Sequence, residues 1–377
     1  MSRLKLGFLQ AGITVLRGAY AVMKKARVRK RYVFITKLSN EPPLDFRVLA
    51  DACRKRHPEY EVVMLCRTMK DRVRYIPHMF VQMHYLATSE VVFLDRSCLV
   101  VHVLKHKPSL QVVQLWHALG SMKKFGYAIL DTPEGQSSEL AKVCHMHENY
   151  TYILISSMNF IEDYREGFHT DGSNVVEIPL PRVDLLLDPA YKAAKRAEVL
   201  AALPQLAGKK TIVYCPTFRK EDAATAKARI LDLVELIDFD QYSFVYQPHP
   251  LSKLQLDDER VVRSGFSTQD MLFAADVVIS DYSSVMYEAG LLGLPVYLYA
   301  YDWDEYRRDR RHNLDIEKLV PTVFTGDARR LVDAIENEEF DKDVFARFIA
   351  DNIHVPDGKP CCDAIIDLID GRNGGVQ

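Results

Sequence analysis

Cysteine is scarce in this chain and carries no pairing pattern: seven residues, scattered apart from Cys361-Cys362, and odd in number. That excludes a small disulfide-stapled scaffold and fits reduced thiols in a cytosolic protein. Long apolar runs are missing too. None reaches the ~20 residues a membrane span needs. The stretch from Gly7 to Val22 is broken by Gln10 and Arg17, which also argues against a secretory signal. Neither charge sign dominates; a formal net charge of −2 over 377 residues excludes a dedicated nucleic-acid binder. Internal repeats and low-complexity tracts are absent. No G-x-x-x-x-G-K-[ST] loop, G-x-G-x-x-G fingerprint or G-x-S-x-G elbow occurs, so neither a P-loop nucleotidase nor a dinucleotide dehydrogenase is supported.

What is present suits two folded domains of ordinary size. The balanced charge hides an asymmetry: residues 1 to 40 contain no Asp or Glu but carry ten basic residues, interleaved with Leu, Phe, Ile and Val. A basic, partly apolar arm over residues 1–31 suits an anionic membrane surface, at about 1 kcal/mol per basic side chain near the headgroups, although Gly7, Gly12 and Gly18 weaken it as a helix. Cys144, His145 and His147 form half of a zinc-like cluster with no second half at ligand spacing, so no metal site is expected. The triplets Asp238-Phe239-Asp240 and Asp302-Trp303-Asp304 read as surface acids.

After the arm, strands and helices alternate. Expected strands are Tyr32–Thr36, Glu61–Cys66, Val91–Leu94, Gln111–Trp116 and Tyr152–Ile155, then Thr211–Tyr214, Ser243–Tyr246, Val277–Ser280 and Val296–Tyr299. Helical stretches fall between them, which predicts parallel sheets with helices on both faces. A change of pace near Pro179-Leu180-Pro181 divides residues 32–185 from 186–377, the latter ending in C-terminal helices. In such folds ligands bind beyond the carboxyl ends of strands. Four of these ends are polar. Gln111–Trp116 runs into His117 and then Lys123-Lys124. Thr211–Tyr214 leads to Pro216-Thr217-Phe218-Arg219, and Ser243–Tyr246 to Pro248-His249-Pro250. Val277–Ser280 leads to Asp281-Tyr282-Ser283-Ser284, where two hydroxyls open a helix whose N-terminal N–H groups suit phosphate. Asp281 cannot pair with phosphate itself and more naturally orients a neighbouring donor.

These segments resemble the CDP-glycerol glycerophosphotransferase family of teichoic acid primases and polymerases, over roughly Val91 to Phe324. The matching pieces are Trp116-His117-Ala118 with Lys123-Lys124, Pro216-Thr217-Phe218-Arg219, His249-Pro250, Asp281 to Ser284, and Tyr301-Asp302 with Tyr306. Departures are Ala118 for Gly, Val183 for Asn, Arg311-His312 for Arg-Gly and Pro321-Thr322 for Pro-Gly. The resemblance implies a GT-B-like α/β fold, with two Rossmann-like doubly wound domains facing across a cleft. It implies transfer of a polyol phosphate from CDP-glycerol or CDP-ribitol to an undecaprenyl-diphosphate-linked saccharide, with CMP leaving and no cofactor required. His117 and His249 are then the catalytic candidates. Thr217, Arg219, Asp281, Ser283, Ser284 and Glu288 are candidates for the donor's diphosphate, and Lys123, Lys124, Arg182, Asp184 and Arg311 are acceptor-side or accessory. The implied location is the cytoplasmic face of the cell membrane, peripherally bound. By length the resemblance is to the primases; the alternatives are a teichoic acid polymerase, a GT-B sugar transferase using a UDP- or GDP-sugar, and a non-catalytic nucleotide-binding scaffold.

Overall fold

The computed structural model describes residues 3–70, 72–219, 223–249, 252, 254–309 and 313–373. Within it the chain forms two compact units. One comprises Met1–Ala118, Lys124–Asp184 and His354–Gln377; the other comprises Leu119–Lys123 and Leu185–Ile353.

The first unit is built on six parallel strands: β1 (Arg29–Thr36), β2 (Glu61–Cys66), β3 (Ser89–Leu94), β4 (Gln111–Gln114), β5 (Tyr152–Ile155) and β6 (Val175–Glu177), in the order β2-β1-β3-β4-β5-β6. Short Val/Ile/Phe-rich runs become central strands because both faces are covered; Val33, Phe34, Val92 and Phe93 are fully buried. The chain reverses its winding direction between β1 and β3, and the register sets Ile35 opposite Leu94, and Leu94 opposite Gln114. Residues that follow β1, β3 and β4 therefore leave the sheet along one edge.

The second unit repeats the plan with β7 (Lys210–Tyr214), β8 (Tyr242–Tyr246), β9 (Val261–Val262), β10 (Val277–Ser280), β11 (Val296–Tyr299) and β12 (Phe324–Thr325), ordered β12-β11-β10-β7-β8-β9. Its winding reverses between β7 and β10, and the crevice outside such a reversal is where doubly wound sheets bind ligands.

Three expectations need correction. The N-terminal arm is not a separate piece. Residues Arg3–Met23 form one helix, α1, despite three glycines; Ile13 and Tyr20 are buried, and Arg29–Arg31 already belong to β1. Within α1, Leu6–Met23 is long and apolar enough to cross a membrane by length and composition, with mean hydropathy 1.3, which the broken-run reading missed. The last helix, Cys361–Asn373, belongs to the first unit rather than the second. Asp184 accepts the Cys361 and Cys362 N–H groups at 2.6 and 3.0 Å, and Arg56 reaches Asp367 at 2.6 Å.

Candidate active site

In the second unit the reversal point is organised around one carboxylate. Asp281, immediately after β10, has no solvent exposure. It accepts the Thr217 N–H at 2.9 Å, the Thr217 hydroxyl at 2.6 Å, the Tyr282 N–H and an N–H of Arg219. Two strand ends that are hydrogen-bonded neighbours are thus tied by a side chain as well as by the sheet. The other side of the Arg219 fork is bidentate on Asp302, at 2.8 and 2.9 Å. Its guanidinium lies 5.4, 5.4 and 5.5 Å from the ring centres of Tyr282, Tyr301 and Tyr306. Burial works against this cation, but Asp281 and Asp302 outweigh it and hold the pKa above its usual value. Thr217, Arg219 and Asp281 are therefore committed to one another, and act by shaping the floor of a site.

Above that floor is a cavity of about 570 Å³, lined among others by Thr217, Phe218, Arg219, Lys227, Tyr246, His249 and Tyr301. The volume is that of a small-molecule site. None of the described residues lining it is acidic; Lys227, 3.5 Å from Asp257, and His249 add basic groups beside Arg219, whose charge Asp281 and Asp302 balance, so the lining offers donors to an anion. His249, following β8, lies 5.7 Å ring to ring from Phe218; burial and the nearby Lys123 depress its pKa, with Asp281 opposing. Lys123 itself belongs to this unit and sits 5.3 Å over the Tyr306 ring. Ser283 spends its hydroxyl accepting the Val285 N–H at 3.4 Å, whereas Ser284 holds the N-cap position with no side-chain cap bond. Glu288 is buried close enough to Cys215 to raise that thiol's pKa.

In the first unit, β4 stops at Gln114, two residues earlier than expected. Trp116 adopts φ 67°, a left-handed conformation unusual for a bulky residue, with its N–H on the Gln114 side-chain oxygen at 3.0 Å. The indole is held 4.6 Å from the Phe125 ring and 5.1 Å from that of Phe168. This kink presents His117. One ring nitrogen of His117 hydrogen-bonds the Asp95 backbone, while Nδ1 is buried and has no partner. Burial, with Arg96 and Arg182 nearby, pushes the imidazole pKa down to about 3, so the ring is neutral at working pH and Nδ1 carries a lone pair. Arg182 is clamped bidentate on buried Asp45, with its Nη2 3.5 Å from the His117 carbonyl. It shapes the loop behind His117.

The remaining candidates fall elsewhere. Lys124 pairs with Glu166 at 2.8 Å in the first unit, so the two adjacent lysines part company. Asp184 serves the last helix, as above. Arg311, with His312, lies outside the described residues. Ala118 is not among the residues with positive φ, so an alanine there carries no backbone strain, and Val183 is fully buried. Around Cys144, His145 faces Glu148 and Arg17, His147 faces Tyr150, and no metal-holding group of three is found among the described residues. Asp302 and Tyr282 entered the sequence reading only as parts of matching segments, Asp302 being otherwise read as a surface acid, and Asp45, Asp95 and Arg96 were missed. Asp302 follows β11 and Asp95-Arg96 follow β3, so the strand-end rule could have found them; Asp45 carries no such signal.

The model of the CDP-Glycerol:Poly(glycerophosphate) glycerophosphotransferase family matches residues 19–369. The chain belongs to this family. It is thus a transferase of the CDP-polyol phosphate class. It is 30% identical over 319 residues to the teichoic acid ribitol-phosphate primase of Bacillus spizizenii strain W23, covering 81% of this chain and 82% of the primase. It is 28% identical over 371 residues to the poly(ribitol-phosphate) polymerase of the same strain, covering 93% of this chain but only 58% of the polymerase. The glycerol-phosphate primase of Bacillus subtilis strain 168 is 25% identical over 266 residues, covering 69% of this chain and 68% of the primase. The fold matches the wall teichoic acid polymerase TagF with a TM-score of 0.76, at 19% identity and over 98% of this chain and 97% of that one. It also matches the Methanocaldococcus jannaschii UDP-GlcNAc 2-epimerase with a TM-score of 0.55, at 12% identity and over 90% and 99% of the two chains. The architecture is accordingly GT-B-like.

Proposed function

We propose that this protein primes a teichoic-acid-type polymer: it moves one glycerol phosphate or ribitol phosphate from a CDP-alcohol to a lipid-linked saccharide and releases CMP. The observation that carries the reading is the cavity with Lys227 and His249 in its lining, over the Asp281–Arg219–Asp302 floor at the β7/β10 reversal, in a chain of this family. The acceptor oxygen forms a bond to the β-phosphorus while the bond from that phosphorus to the bridging oxygen breaks. The electron pair leaves with CMP, and the acceptor proton goes to Nδ1 of His117. General-base help of this kind is worth roughly 10²- to 10⁴-fold. His249, Lys227, Lys123 and Ser284 offset charge on the diphosphate, and the Asp281–Arg219–Asp302 network fixes Thr217 and the cavity floor.

A membrane-held acceptor fits α1. Its docked face carries Ile13 and Tyr20, with Arg17 on the Val103 carbonyl at 2.8 Å and Lys24 on that of Lys105 at 2.7 Å. The opposite face exposes Leu4, Phe8, Val15 and Val22, and the helix Arg72–Thr88 adds exposed Val73, Ile76 and Val81. On the docked side a cavity of about 340 Å³ collects Arg17, Lys24 and Lys105, with Glu148. A helix apolar on both faces and docked by one asks for an apolar cover on the other. The reading is a protein lying on the anionic cytoplasmic face of the membrane.

The test is incubation with CDP-glycerol or CDP-ribitol and a lipid-linked saccharide, with mass spectrometry of the product. One added polyol phosphate supports a primase; a ladder points to a polymerase. Thermal shifts with UDP- and GDP-sugars but not CDP-alcohols would replace the reading with a sugar transferase.

A further inference from the structure

We propose that Lys37 and Arg96 form an anion site of their own at the C-terminal edge of the first sheet, which binds a phosphate of the acceptor beside His117. The proposal rests on the transferase reading for the acceptor's identity; the site itself rests on geometry. Lys37 follows β1 and Arg96 follows β3, the two strands between which the sheet reverses its winding. With Ile35 opposite Leu94, the two side chains leave the sheet at the same level. This is the place where doubly wound sheets bind ligands, and in the second unit the matching place holds the basic cavity.

The chemistry of the pair is unfinished. The Arg96 guanidinium makes no hydrogen bond and no ion pair with any described residue, and its Nε is sealed from solvent. Lys37 gives one hydrogen bond, to the Ser97 hydroxyl at 2.8 Å, and has no ion pair among the described residues. Burial lowers the pKa of both cations; Arg96 lowers that of Lys37 further, and Asp95 opposes the shift in both. The one acid between them is Asp95, whose Oδ2 takes the Thr36 hydroxyl at 2.8 Å and whose Oδ1 is buried without a partner. Arg182 adds no free charge, because Asp45 neutralises it. Two half-buried cations thus share one carboxylate, an excess of positive charge that costs stability and that proteins keep where a ligand supplies the missing anion. A structural arginine would sit as Arg219 does, with its fork filled by carboxylates. The neighbouring Nδ1 of His117, also partnerless, puts the proton acceptor next to the anion. The ligand class is a phosphate or diphosphate ester joined to the hydroxyl-bearing group.

The experiment is calorimetric titration of the full-length protein with inorganic pyrophosphate, CMP being present at saturation to occupy the second unit, for wild type, Arg96→Gln and Lys37→Met. Each variant should bind pyrophosphate at least about tenfold more weakly, the loss of one charge-assisted contact. Without ligand, Arg96→Gln should melt close to wild type, because Lys37 remains beside Asp95 and the repulsion between the two cations is gone. The ratio of kcat/KM on a diphosphate-linked acceptor to that on the same saccharide with an uncharged tether should fall about tenfold as well. Unchanged pyrophosphate affinity in both variants overturns the site, as does a lower melting temperature with an unchanged acceptor ratio. Weakened pyrophosphate binding in a protein that turns over no CDP-alcohol keeps the anion site and removes the transferase reading. Normal turnover with unchanged pyrophosphate binding does the reverse.

Discussion

Asp281→Asn changes one atom type in the second unit and should cost more than any surface substitution. The carboxylate is fully buried, and its two oxygens take N–H or O–H groups from Thr217, Tyr282 and Arg219. An amide keeps the shape but removes the charge and turns one acceptor into a donor, aimed at other donors. Arg219 is left with Asp302 alone. Breaking a buried pair by removing one partner costs about 3–5 kcal/mol, a third or more of the roughly 5–15 kcal/mol that holds an ordinary domain. Arg219→Met should cost a similar amount, since it strands both carboxylates. The double variant should cost clearly less than the sum, with a coupling of about 1–3 kcal/mol, because neither the cation nor Asp281 is then left unpaired by the other's loss. Urea denaturation of the four proteins by circular dichroism measures the cycle. Asp281→Asn should also weaken CDP-alcohol binding, although Asp281 does not line the cavity, because Thr217 and Arg219 are placed by it. Single costs below about 1 kcal/mol, or strict additivity, would refute the network as the element that fixes this strand end.

Acid should destabilise the first unit. His117 and His147 are held by burial at about 3 and about 4, below an unfolded value near 6.5, so the unfolded chain binds more protons and stability present above pH 6.5 is lost as pH falls. Each contributes about 1.4 kcal/mol per pH unit; denaturation midpoints unchanged between pH 7.5 and 5 would refute their burial. His249→Ala should weaken CDP-alcohol binding roughly tenfold by loss of a charge-assisted contact, and unchanged affinity by calorimetry would place the diphosphate elsewhere. Replacing exposed Leu4, Phe8 and Val15 with Ser should reduce co-sedimentation with phosphatidylglycerol vesicles, since each large apolar side chain is worth about 1.5–3 kcal/mol on burial. Undiminished binding would mean the membrane meets another surface.

The nine strands read from the sequence are all present; each is an apolar run long enough to stand out between turn signals. β6, β9 and β12 were not legible because runs of three, two and two residues carry no periodicity. Site residues followed the same logic. His117, Thr217, Arg219, His249 and Asp281 were read as strand-end residues, and the structure places them in the segments that follow β4, β7, β8 and β10. Asp302 stands after one too, yet was discounted as half of a chance Asp-x-Asp triplet. The role of Arg219 was not legible at all. Its charge suggested phosphate, and only folding shows two carboxylates already occupying the fork. Pairings across long sequence separations were equally hidden: Asp45 meets Arg182 and Asp184 meets the last helix because the sheet brings them together. The isoleucines of that helix, Ile365, Ile366 and Ile369, signal burial without saying which sheet they cover.

The most direct test of the chemistry is CMP release by His117→Ala beside wild type, with saturating CDP-alcohol and a lipid-linked acceptor. Loss of the general base should lower kcat by at least about 10²-fold, while calorimetry shows donor affinity unchanged, because the donor cavity belongs to the second unit. A His117→Ala protein that releases CMP at nearly the wild-type rate would contradict the assignment of His117 as the base.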